Sequence, residues 1–137
     1  MVERKNISDG TSWEPLIGYS RAVKIDNQIY ISSTAAIDKE GQIVGGNSAY
    51  EQTRYIIERI KSVLKEAGAS LEDVVRTRMY VRNIGQWKEY ARAHREAFQD
   101  IRPANTFIEI SSSVDPRMLV EIEAEAVISN SGKLEKQ

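Results

Sequence analysis

The segment Val120-Glu121-Ile122-Glu123-Ala124-Glu125-Ala126 constrains this chain more tightly than any other. Its apolar residues alternate with three glutamates, a period of two that only an extended strand converts into two distinct faces. One face must pack on a core, and the other must stay wet or meet cations. Three carboxylates roughly 7 Å apart repel one another unless cations or water intervene. A second segment supplies the opposite sign. In Val74–Arg82, the residues Arg76, Arg78, Tyr80 and Arg82 alternate with Val75, Thr77, Met79 and Val81. The two rows predict either cross-strand pairing with a wet sheet face, or a polar face buried in a subunit contact. On the second reading the chain is a homo-oligomer whose rows meet within or between copies.

The remaining pattern supplies the other elements. Val23 and Ile25, then Ile29 and Ile31, flank Asp26-Asn27, which reads as a two-residue hairpin. Ser48 followed by Glu51 has the capping-box spacing that opens a helix. Ile56, Ile57, Ile60, Val63 and Leu64 recur at helical spacing until Gly68 ends the run. A second helix carries Trp87, Tyr90, Ala91, His94, Ala97 and Phe98 on one face and stops before Pro103. Strands over Thr106–Ser111 and Met118–Ile128 close the pattern, with Asp115-Pro116 as the turn between them. The expected order is β-β-α-β-α-β-β, an α+β fold with a mixed sheet and two helices on one face. Residues 1–137 form one domain with a core over about 17–128, a polar N-terminal segment and a polar, fraying tail.

Composition narrows the chemistry. There is no cysteine and one histidine, His94. Thiolate metal sites, cysteine nucleophiles and paired-histidine mechanisms are thereby excluded within one chain. On its own His94 reads as a packing residue with a hydrogen bond. No phosphate-binding glycine loop, HExxH or nucleophile elbow occurs, and neither metal nor cofactor is expected. The formal net charge of −1 argues against a nucleic-acid binder. Apolar runs are far too short to span a membrane, which points to a soluble, cytoplasmic protein.

An ordered set of short motifs resembles the YjgF/RidA family. They are Gly18-Tyr19-Ser20-Arg21-Ala22-Val23 with Ile29-Tyr30-Ile31-Ser32-Ser33, Gln52-Thr53-Arg54, Ala67-Gly68-Ala69-Ser70-Leu71-Glu72-Asp73-Val74-Val75, Arg102-Pro103-Ala104 and Val120-Glu121-Ile122-Glu123-Ala124. The resemblance implies a chorismate-mutase-like homotrimer with small-molecule sites in the clefts between subunits. It also implies hydrolysis of imine or enamine bonds, with Glu121 positioning water and Tyr19 orienting the ligand. The substrate-binding set it points to is Tyr19, Ser33, Asn105, Thr106 and Phe107.

Three of these positions depart from the family pattern. Asn105 stands where the deaminases carry an arginine that grips the substrate carboxylate, and an amide cannot make that bidentate clamp. Phe107 replaces a small or thiol residue, and Ser33 replaces a glycine. The ligand expected is therefore not a simple 2-imino acid, or lacks its carboxylate. Of the guanidiniums that could compensate, Arg102 before the proline and Arg117 on a loop are not aimed at the cleft, which leaves Arg78 and Arg82 on a neighbouring strand. Small-ligand binding without turnover is the alternative function, ahead of RNA binding or ribonuclease activity.

Overall fold

The computed structural model describes residues 2–129; the tail expected to fray lies, beyond Ser129, outside the described residues. One six-stranded mixed sheet organises the chain. Its strands are β1 (Arg4–Ile7), β2 (Ala22–Ile25), β3 (Gln28–Ala35), β4 (Val74–Val81), β5 (Ala104–Glu109) and β6 (Val120–Val127). Their spatial order is β1-β2-β3-β6-β4-β5, with β4 and β5 parallel and every other pair antiparallel. The helices are α1 (Trp13–Ile17), α2 (Ala49–Glu66) and α3 (Trp87–Phe98).

The alternation read from the last segment is what builds the core. Val120, Ile122, Ala124 and Ala126 of β6 join Ile29, Ile31, Met79 and Val81 on one face of the sheet. Ile56, Ile60 and Leu64 of α2 and Tyr90 and Phe98 of α3 cover them. Ser48 caps α2 by accepting the Glu51 backbone N–H at 3.0 Å. Gly68, at φ +84°, takes the left-handed turn that ends it.

Gln52 explains why an amide belongs in the first turn of α2. It is fully buried. Its amide N–H groups donate to the Gly46 and Arg117 carbonyls, and its carbonyl accepts the Leu119 N–H, at 2.7, 2.9 and 2.9 Å. The buried amide thereby has its own polar atoms satisfied and ties three backbone groups from two other segments to one side chain. The segment entering β6, two residues before Glu121, is thereby fixed to the helix.

Three expectations are corrected. The N-terminal segment contributes β1 and α1. Neither carries a periodic signal, because β1 is a polar edge strand that buries only Ile7 and α1 is five residues long with Pro15 inside. In β4, a register shift between Val74 and Arg76 turns Val74 inward and leaves Val75 exposed. In α3, Trp87 lies outside the core while Ala93 is buried, because the buried stripe runs through Tyr90, Ala93 and Phe98.

Candidate functional site

The glutamate and arginine rows meet across β6 and β4 within one chain. Arg76 reaches Glu125 at 3.7 Å, and Arg78 reaches Glu123 and Glu125 at 3.8 and 3.0 Å. The Tyr80 hydroxyl donates to Glu123. These groups are about one-third exposed, so their worth is modest. The pairing relieves the repulsion that the carboxylates would otherwise suffer.

Glu121 stands outside this ladder. Opposite it on β4 is Tyr80, which is engaged elsewhere, and opposite it on β3 is Ala35. Its carboxylate instead accepts two hydroxyls, from Ser33 at 3.0 Å and from Ser113 at 2.5 Å. Ser33 reaches it because β3 is irregular between Ile31 and Thr34, which breaks strict alternation just where two serines follow one another. A carboxylate that accepts two hydroxyls retains lone pairs for a third partner.

Beside Glu121 opens a cavity of about 330 Å³, lined by Tyr19, Arg21, Ser33 and Arg59 as well as apolar side chains. Arg21 is 3% exposed. It donates to the Ser33 carbonyl at 2.9 Å, to the Thr34 hydroxyl at 2.8 Å and to the Tyr19 hydroxyl oxygen at 2.9 Å. Because the Tyr19 oxygen accepts from Arg21, its own proton is free to be donated to a ligand. Arg21 therefore does two things here: it ties down the irregular turn that carries Ser33, and it sets the direction of the phenol. Asp9 balances the charge beneath, 2.5 Å from Arg59 and 3.8 Å from Arg21. Burial pushes the Asp9 carboxyl up, but the bond and charge of Arg59 and the charge of Arg21 outweigh it and hold the group below its usual value.

Asn105, Thr106 and Phe107 are not brought to this cavity within one chain. They lie on β5, the far edge strand, separated from β6 by β4. Asn105 is level with Thr77 and Ala124, three residues along from Glu121, which puts the two backbones about 14 Å apart. Alternation also turns them to opposite faces. The Asn105 amide donates to the Thr77 hydroxyl at 3.0 Å on the helix side, and Phe107 packs edge-on against Tyr90 at 6.2 Å. Thr106 is aligned with Arg78 on the open face. Of the guanidiniums considered, Arg117 is held by Asp115 and Arg78 by the glutamate row, while Arg102 lines a separate cleft with Asn105 and His94.

His94 is a packing residue, hydrogen-bonded to Thr77 at 2.9 Å and packed at a 36° tilt against Phe98 with ring centres 4.6 Å apart. Burial pushes its imidazole down from the ordinary value of 6.5 to about 4. A base whose folded value is depressed contributes full stability above its ordinary value. That stability is lost as pH falls from about 6.5 towards 4, by up to about 3 kcal/mol. His94→Gln is expected to flatten the stability profile over this window. Chemical denaturation of both proteins at pH 7 and pH 4.5 measures it, and parallel losses in the two would refute the assignment.

Arg21, Arg59, Ser113 and the apolar lining are site residues that the sequence did not single out. Arg21 had a signal, since it lies inside the Tyr19-Ser20-Arg21 motif, two residues from the tyrosine on an extended segment. The others come from distant segments and had none.

Residues 10–128 match the family described as Endoribonuclease L-PSP. A RutC family protein of Pyrococcus abyssi is 38% identical over 112 residues, covering 81% of this chain and 87% of that protein. The 3-aminoacrylate deaminase RutC of Acinetobacter baylyi is 33% identical over 108 residues, covering 79% and 85%. The crystal structure of a YjgF/YER057c/UK114 family member from Mycobacterium tuberculosis superposes with a TM-score of 0.83 at 39% identity, covering 92% of this chain and all of that one.

Proposed function

The chain belongs to the Endoribonuclease L-PSP family, also called YjgF/RidA, and from that premise we propose that it hydrolyses an imine or enamine bond of a small metabolite in a cleft between subunits of a homotrimer. The observation that carries this reading is the isolation of Glu121. It is the one glutamate of its row without an arginine, and it faces a cavity that also holds a free phenolic proton.

The chemistry asks little of the protein, because an imine carbon is already electrophilic. Glu121 accepts a proton from water as the water oxygen bonds to that carbon. The substrate enters as the protonated iminium, so addition leaves a neutral amine, and the proton taken up by Glu121, passed to that nitrogen, makes it an ammonium leaving group. The hydroxyl oxygen forms the carbonyl as the carbon–nitrogen bond breaks, its proton passes to Glu121 and on to solvent, and a carbonyl compound and ammonia depart. An enamine enters the same path after protonation at carbon. Tyr19 donates to an acceptor atom of the ligand, and the Ser33 and Ser113 hydroxyls hold the carboxylate in place.

In the proposed trimer, the open β5 edge of one subunit closes the cavity of the next, bringing Asn105 and Thr106 opposite Glu121. Phe107 holds that edge against Tyr90. Support comes from the exposed, unpaired edge of β5 and from half-exposed Tyr30 and Ile108 on the polar sheet face. Light scattering that returned a monomer at micromolar concentration would remove this part.

The test of function is ammonia release from imines and enamines generated in situ, 2-iminobutanoate and 3-aminoacrylate included. Acceleration over the buffer rate is expected for at least one compound, with 2-iminobutanoate a poor substrate because Asn105 offers no clamp. No acceleration with any of them would favour binding without turnover, the reading to which the uncharged Asn105 also lends weight.

A further inference from the structure

The cavity beside Glu121 is lined mostly by apolar surface: Trp13 and Ile17 of α1, Ala35 and Ile37 at and after the end of β3, and Val114 and Met118 before β6. Ile37 and Met118 are buried and, with Ala35, form a second small apolar cluster, separate from the main core, against which Trp13 packs. Ile17 and Val114 are 63% and 70% exposed and stand at its mouth. Trp13 and Ile17 of this short helix are not among the residues of the main core. Hollows of this size, apolar with a few convergent polar groups, are the usual form of small-molecule sites.

We propose that this apolar chamber receives an aromatic or branched aliphatic group of the ligand, with Trp13, Ile17, Ile37, Val114 and Met118 as the residues that determine specificity. The inference rests on the cavity being the ligand site, as in the function proposed above, and it names the class of compound: a small carbonyl, imine or enamine with an apolar substituent of about benzyl size. The reacting carbon lies at the Glu121–Ser33 end, its acceptor atom meets the Tyr19 hydroxyl, and the substituent points towards Trp13.

Trp13 is also the natural reporter. The chain has two tryptophans, and Trp87 lies on α3 outside the cavity, so Trp87→Phe leaves Trp13 emission alone. Two probe pairs separate the substituent from the headgroup: benzylacetone against acetone, and phenylpyruvate against pyruvate. Within each pair the larger compound is expected to bind at least about tenfold more tightly, as burying several more apolar carbons requires. Ile17→Asp together with Val114→Asp, both exposed and tolerable to the fold, should reduce that preference to less than about threefold. Equal affinities within both pairs, no binding at all, or a preference unmoved by the double substitution would overturn the proposal. Failure of the function reading looks different. Ammonia release would then be absent for every imine while the binding preference persists. Turnover that favoured small imines over their benzyl counterparts would sink the chamber and leave the hydrolase standing.

Discussion

Glu121→Gln is expected to lower ammonia release by at least about 100-fold while changing ligand affinity by no more than about threefold. Glutamine keeps the shape and can still accept the Ser33 hydroxyl, so the cavity persists. What it lacks is a site for the proton of the attacking water. Because Glu121 makes no ion pair among the described residues, the substitution leaves no arginine uncompensated, and stability should hardly change. A glutamate that served only as a strut would give the reverse: activity retained, with a shifted melting temperature. Steady-state rates and a thermal melt on one preparation distinguish the two.

Asp9→Ala is expected to be the most destabilising single change near the site, at about 3 kcal/mol. Asp9 lies between two guanidiniums, Arg21 and Arg59, that are 3% and 9% exposed. Its removal leaves both buried with their mutual repulsion unrelieved, and Glu14, which accepts the Asp9 backbone N–H at 3.2 Å, cannot replace it from its own position. The loss should appear as a fall in melting temperature of about 10 °C. It should also be pH-dependent. The Asp9 carboxyl is held below its usual value, so its contribution is present above that value and is lost as pH falls through the folded one. The variant should therefore lose less stability on acidification than the parent. A loss below about 1 kcal/mol in urea titration would show that the two arginines do not depend on Asp9.

How much of this could be read beforehand depended on whether a property is repeated along the chain. The acidic and basic rows, the stripe from Ile56 to Leu64 and the hairpin at Asp26-Asn27 are local and periodic. They predicted their elements because burial acts on every second or every third and fourth residue alike. Where one residue breaks the period, the prediction slipped. The shifted register at Val74 exchanged the expected roles of Val74 and Val75, and a polar edge strand and a five-residue helix left no periodic trace. Of the residues singled out for the site, Tyr19, Ser33 and Glu121 share one cavity, while Asn105 and Phe107 face the helices from the far edge of the sheet.

Sequence alone determined that the glutamate row needs cations or water beside it and offered the arginine row as its partner, within one copy or between copies, since alternation and Coulomb repulsion leave few other arrangements. It could not determine which glutamate would be left over. That was decided by strand register, which set Tyr80 and Ala35 opposite Glu121, and by the irregular turn that swung Ser33 towards it. The partners of a side chain across a sheet come from segments about forty to ninety residues away, and their alignment is settled only when every strand is packed at once.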